Sequence, residues 1–154
     1  GGKTLFSREF GSALARRIRE MYPDDSFDAV VPVPLHYSRV WRRGYNQAAL
    51  IAAFLADALD VPCYTWLLSR VRRTRPQSGG RIHRLKNVRG AFHAGGKCTH
   101  ASILLVDDVL TTGATMRESA AVLYGAGADR VVASVCAWVP LGHYHTKEHR
   151  RRQA

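Results

Sequence analysis

The amino-acid sequence predicts a single α/β domain whose sheet is mostly parallel and flanked by helices on both faces. Three observations carry this expectation. Apolar, β-branched runs at Phe27–Leu35, Ser102–Asp107 and Arg130–Val139 show no polar alternation, so each reads as a strand covered on both sides. Segments of helical period separate these runs, and strand–helix–strand alternation builds parallel sheets. At 154 residues the chain is long enough for one real core and too short to divide comfortably into two, so residues 1–154 read as one domain.

In chain order, Leu5, Phe6, Phe10, Leu14, Arg17 and Ile18 recur at helical spacing after Thr4, a candidate N-cap, which predicts an N-terminal helix within residues 1–24 that stops near Pro23. The strand at Phe27–Leu35 ends in a turn ordered by Pro32 and Pro34. Leu50, Ile51, Phe54, Leu55, Ala58 and Leu59 form one stripe of a helix over Gln47–Leu59, ended by Val61-Pro62, and a strand is expected at Cys63–Leu68. Residues 70–90 are basic, glycine-bearing and aperiodic, the marks of a long functional loop. A helix over Thr115–Tyr124, stopped by Gly125 and Gly127, leads into the last strand, and residues 143–154 read as a flexible basic tail.

Composition narrows the function classes. Hydrophobic residues at 46% and charged residues at 23% match a folded globular domain rather than a disordered chain. The longest uncharged apolar stretches are strand-sized, far below the roughly 20 residues that span a bilayer, and the first residues lack a signal-peptide pattern. The expectation is a cytoplasmic protein without a membrane partner. Cys63, Cys98 and Cys136 are too widely spaced for a zinc site and read as reduced, mostly buried thiols. His143, His145 and His149 belong to the polar tail and are assigned no metal. The net charge of +11 favours anionic partners, and its basic residues crowd two places, Arg70–Arg89 and Lys147–Arg152.

The most specific signal is Ile103-Leu104-Leu105-Val106-Asp107-Asp108-Val109-Leu110-Thr111-Thr112-Gly113-Ala114-Thr115, a buried strand running into two acids and a Thr/Gly turn that opens a helix. Amides at a helix N-terminus and the helix dipole favour an anion, so Val109, Leu110, Thr111, Thr112, Gly113, Ala114 and Thr115 can cradle a phosphate monoester. Gly113 admits a close backbone approach, and the Thr111, Thr112 and Thr115 hydroxyls add donors. Two carboxylates beside a phosphate repel it unless they serve something else, and ribose hydroxyls or a divalent cation fit Asp107 and Asp108. A Walker loop is excluded by the missing Lys after Gly, and a dinucleotide fingerprint by the missing GxGxxG.

Val106–Thr115 resembles the phosphoribosyl pyrophosphate (PRPP) motif of type I phosphoribosyltransferases. Two further stretches are similar to the ComF family, whose members are linked to DNA uptake in competence. One is Val31-Pro32-Val33-Pro34-Leu35-His36 with Arg42-Arg43-Gly44-Tyr45-Asn46-Gln47-Ala48. The other is Arg73-Thr74-Arg75-Pro76-Gln77 with Arg81, Arg84, Asn87, Gly90, Ala91 and Phe92. The similarity runs from about residue 28 to residue 140. ComF-like proteins usually carry an N-terminal zinc module with four cysteine ligands, and no such set occurs in this sequence.

This resemblance implies a type I phosphoribosyltransferase-like fold and a glycosyltransferase acting on PRPP with Mg2+ near Asp107 and Asp108. It places Pro34, Leu35 and His36 at the pyrophosphate. Arg73, Arg75 and Gln77 would sit on a flexible catalytic loop, with Arg42, Arg43 and Asn46 as further anion contacts. Mechanistically, pyrophosphate departs from the anomeric carbon of ribose while the metal and arginines meet its charge. The acceptor is not readable from the sequence. The competing class is a non-catalytic PRPP or nucleotide sensor in DNA uptake, acting through single-stranded DNA and a competence or helicase-type protein partner. A pure nucleic-acid-binding module explains the charge but leaves the Asp107-Asp108 loop without a purpose.

Overall fold

The computed structural model describes residues 2–35, 44–72 and 88–139, with side chains from residue 4. Its centre is a three-stranded parallel sheet in the order β1–β4–β5, formed by β1 (Ala29–Pro32), β4 (Ser102–Leu110) and β5 (Arg130–Trp138). A parallel bridge between Val30 and Cys63 adds one more chain crossing on the far side of β1. A separate antiparallel ribbon pairs β2 (Leu68–Arg70) with β3 (Phe92–Ala94).

The strands β1 and β4 are buried on both faces, as their unalternating apolar runs predict, whereas β5 at the sheet edge is not: of its residues only Ser134 is buried, and Trp138 is 67% exposed. Along β4, Leu104 and Val106 point to one core with Val30 of β1, while Ile103 and Leu105 point to the other with Val31. The first core is closed by α1 (Gly2–Met21) and α2 (Gln47–Leu59), the second by α3 (Ala114–Gly125) and the β2–β3 ribbon. The expected mostly parallel sheet with helices on both faces is therefore present.

Three local expectations need correction. The N-terminal helix begins at Gly2, before the candidate cap Thr4, and Leu5 and Phe6 stay exposed at 62% and 58%. Of the expected stripe, Ile18 is buried and Phe10 and Leu14 are half-buried against the core, and the small residues Ser7, Gly11 and Ala15 complete the buried face. Close approach explains this choice of small residues: a Cβ at Gly11 would lie 2.6 Å from Phe54 Cβ and 2.9 Å from the Leu55 nitrogen. At the contact's end the Gln47 side-chain amide donates to Ser7 Oγ at 2.9 Å.

Secondly, Cys63–Leu68 is not a strand. Only Cys63 bridges, through Val30 N–H to the Pro62 carbonyl and Tyr64 N–H to the Val30 carbonyl, and the strand begins only at Leu68, the last residue of the expected range, in the ribbon. Thirdly, β4 does not stop at its first acid but stays in register with β5 to Leu110↔Trp138, and β1 is shorter than predicted, ending at Pro32.

Candidate functional site

After β1 the chain runs outward to Cys63 and then returns to lay β4 on the other side of β1. Such a reversal opens a crevice at the carboxyl ends of the two strands, where ligands bind in open α/β sheets. Val33, Pro34 and Leu35 leave the end of β1, and Asp107–Leu110 form the end of β4. Val33 N–H still donates to the Val106 carbonyl at 2.8 Å, so the two ends are pinned together.

Asp107 and Asp108 are both half-buried within β4. One Asp107 oxygen accepts from Asp108 N–H at 2.9 Å, and one Asp108 oxygen accepts from Val109 N–H at 2.9 Å. Burial, then the charge and side-chain hydrogen bond of Asp108, push the Asp107 carboxyl up to about 7, against the opposing pull of the Asp108 N–H and the Arg70 guanidinium. An acid pair held this way is stabilised by whatever shares its charge, whether a cation or hydroxyl donors.

The turn that follows is Thr111–Gly113. Gly113 takes φ 71°, ψ 4°, a left-handed conformation at the N-cap of α3, where its carbonyl accepts from Arg117 N–H at 2.9 Å. A Cβ there would meet only Leu110 Cδ1 at 3.7 Å, so backbone angle rather than space demands glycine. Thr112 Oγ1 accepts from Ala114 N–H at 3.3 Å. The helix thus starts one residue before the expected Thr115, and Ala114 is buried beneath it.

Among the other expected site residues, Asn46 is the N-cap of α2: its Oδ1 accepts from Ala48 N–H at 3.1 Å and its Nδ2 donates to the Val33 carbonyl at 3.1 Å. The structure gives it the work of tying α2 to the end of β1. His36, Arg42, Arg43, Arg73, Arg75 and Gln77 lie outside the described residues. The two stems of the basic segment are within them. Val71 N–H donates to the Ala91 carbonyl, Arg72 to the Arg89 carbonyl at 2.6 Å, and Gly90 N–H to Glu118 of α3 at 2.6 Å.

Two contributors escaped the sequence reading. Arg70, at the end of β2, lies over the Phe92 ring at 5.2 Å and acts electrostatically on Asp107. On the other side of the sheet, Asp108 borders a cavity of about 570 Å³ lined by Phe6, Phe10, Tyr45, Gln47 and Cys136 among others. The same acids, after burial, help push the Cys136 thiol up to about 11. Both contributors depend on strand register over long sequence separations; only the Phe6/Phe10 spacing on one helix was a local hint.

Cys98 is buried and Cys63 and Cys136 are half-buried, all three as free thiols. Among the described residues no three His, Cys, Asp or Glu side chains gather to hold a metal, and no helix is long and apolar enough to cross a membrane.

An acid pair and a glycine-capped helix at the switch point of a parallel sheet define a type I phosphoribosyltransferase-like domain. A family model, the phosphoribosyl transferase domain, matches residues 45–153, and the chain belongs to that family, in its competence-associated ComF group. Competence protein F of Haemophilus influenzae is 37% identical over 108 residues, covering 68% of this chain and 47% of that protein. Competence protein ComFC of Bacillus subtilis is 32% identical over 129 residues, covering 84% and 50%. The chain thus spans about half the length of these curated relatives. In fold it is similar to the glutamine PRPP amidotransferase from B. subtilis, with a TM-score of 0.58 at 22% identity over 84% of this chain and 26% of that one.

Proposed function

We propose that the carboxyl end of the sheet binds PRPP together with Mg2+ and serves phosphoribosyl transfer. The observation that carries this reading is the direct succession of Asp107-Asp108 and the Gly113-capped start of α3. That succession puts a site for hydroxyls or a cation one short turn from a site for a phosphate. In this reading the amides from Gly113 onward hold the 5'-phosphate, and Asp107 and Asp108 hold the ribose hydroxyls.

Two carboxylates suit Mg2+, which takes one or two protein carboxylates and completes its shell with water and substrate phosphates. When bound, the metal supplies positive charge to the departing pyrophosphate. Arg70 beside Asp107 adds charge from the protein. In the transfer the acceptor's electron pair forms the bond to the anomeric carbon as the carbon–oxygen bond to pyrophosphate breaks, and its electrons leave with pyrophosphate. Action in the cytoplasm belongs to the same proposal.

Melting curves with PRPP and Mg2+ test the reading, since a ligand selective for the native state adds RT ln(1 + [L]/Kd). A rise in Tm is expected, lost in the double variant Asp107→Asn, Asp108→Asn, while inorganic phosphate binding persists. Flat curves up to millimolar PRPP overturn it. The names of the competence relatives favour a second reading, in which PRPP is recognised in DNA uptake and left intact. Pyrophosphate release in the presence of candidate acceptors supports transfer; binding without release supports recognition.

A further inference from the structure

Alternation along β4 turns its two acids to opposite faces of the sheet. Asp107 faces the ribbon, where the Arg70 guanidinium acts on it. Asp108 follows Leu104 and Val106 toward α1 and α2, and there it borders the cavity of about 570 Å³. Nothing in the PRPP reading fills that cavity.

Its walls are apolar and partly open to water. Phe6 and Phe10, one helical turn apart on α1, stand with ring centroids 4.4 Å apart and planes tilted by 65°, and Ile51 of α2 and Val109 of β4 join them. Phe6 is 58% exposed and Val109 40% exposed, apolar surface that the core leaves uncovered. The helix that carries the two rings is fixed in place. Gly11 comes so near α2 that a Cβ would stand 2.6 Å from Phe54 Cβ, and Gln47 Nε2 donates to the buried Ser7 Oγ at 2.9 Å. A wall built before its ligand arrives lowers the ordering cost of binding.

The polar chemistry of the cavity has one sign. Among the described residues that line it there is no Lys, Arg or His, although the chain carries a net charge of +11. Asp108 offers a carboxylate, and Gln47, with its Nε2 on Ser7, keeps its amide oxygen as an acceptor. A carboxylate or phosphate placed there meets no partner and is repelled by Asp108, whereas an N–H finds two acceptors. A small amine would satisfy Asp108 but leave the phenyl walls uncovered, and a polyol would press hydroxyls against them without partners. A flat ring bearing N–H groups meets both demands.

We propose that this cavity is the acceptor pocket of the transfer, walled by α1, and that it selects a neutral heteroaromatic ring whose N–H groups donate to Asp108 and the Gln47 oxygen, against acceptors that carry a carboxylate. The proposal rests on the PRPP reading, since an acceptor requires a bound phosphoribosyl donor. One Asp108 oxygen accepts from Val109 N–H, and the lone pairs that remain on the carboxylate serve both a ribose hydroxyl and a ring N–H. In the step itself a ring nitrogen's electron pair forms the bond to the anomeric carbon. The carbon–oxygen bond to pyrophosphate breaks with its electrons on pyrophosphate, and the nitrogen's proton passes to water.

The test adds ring compounds to the whole chain saturated with PRPP and Mg2+ and reads both Tm and pyrophosphate release. Adenine, hypoxanthine, cytosine and benzimidazole form the neutral panel; orotate, nicotinate and anthranilate carry the carboxylate. At least one neutral ring should act at a concentration at least about tenfold below that of every acid. Phe6→Ala, at an exposed position, should raise the half-saturating concentration of that ring about 2- to 13-fold. Phe6→Tyr, which keeps a ring, should stay within about threefold of the wild type, and PRPP alone should stabilise both variants as it does the wild type. An acid that equals or outdoes the neutral panel overturns the proposal. So does a folded Phe6→Ala with wild-type half-saturation, or a panel without effect on a chain that PRPP stabilises. Those three outcomes leave the PRPP reading standing, whereas a chain that PRPP does not stabilise overturns that reading first and the acceptor pocket with it.

Discussion

Asp107 shows how burial and a neighbouring acid act on a single carboxyl. Its proton is held to about 7 in the folded chain, against an ordinary carboxyl value of about 3.9 in the unfolded one. Between those limits the folded state binds the proton more tightly, so stability falls as pH rises from about 4 to about 7 and is level above. Asp107→Asn removes the cost. It should raise stability at pH 8 by on the order of 1–3 kcal/mol, because the shift belongs to the pair, and give no gain near pH 4. Melting curves of the two chains across that range check the sign. Conversely, a ligand that needs the carboxylate must expel the proton, so PRPP–Mg2+ affinity should rise between pH 6 and pH 8. Gly113 gives the second test at this scale. With φ at 71° and open space around its α-carbon, Gly113→Ala pays only the left-handed backbone penalty, about 1–2 kcal/mol. The expected outcome is a lower Tm with PRPP-dependent stabilisation reduced alongside it. An unchanged Tm would show that the turn relaxes freely.

At the scale of elements, the α1–α2 contact is the feature least visible beforehand. Helical periodicity located α1 and the Phe10, Leu14 and Ile18 side chains that reach the core, but close packing against α2 selected Ser7, Gly11 and Ala15 and left Leu5 and Phe6 outside. Hydrophobicity says which residues gain from burial; it does not say how near a partner helix will come. The prediction follows from that distance. Gly11→Ala gains about 1 kcal/mol of helix propensity but drives a methyl to 2.6 Å from Phe54 Cβ, and overpacking costs about 1–3 kcal/mol. A net loss is expected, seen as a Tm lower by a few degrees, since about 1 kcal/mol moves a domain of this size by roughly 2–4 °C. A higher Tm would mean that the helices separate at little cost. The ribbon was missed for a related reason: Leu68–Arg70 and Phe92–Ala94 have three residues each, too few for a periodic signal, and their pairing joins points more than twenty residues apart.

For the whole molecule, the parallel sheet and its two helical layers were legible because a strand buried on both faces has no polar alternation to hide. The acid pair at the strand end and the glycine turn that opens α3 were legible because they are contiguous, from Asp107 to Thr115. Arg70 and the Asp108 cavity were not, since β2 and β5 reach the acids only through the topology. That topology also divides the molecule into a carboxyl end with the acids and an amino end with Trp66. Hydrogen exchange should resolve the two ends. The first amides of α3 lack intrahelical acceptors, so PRPP with Mg2+ should slow exchange at Gly113, Thr115 and Met116 several-fold. The exposed turn amides at Lys97 and Thr99, which open locally rather than with the whole fold, should keep their rates. Equal protection of both ends by PRPP would overturn the placement of the ligand at the carboxyl end.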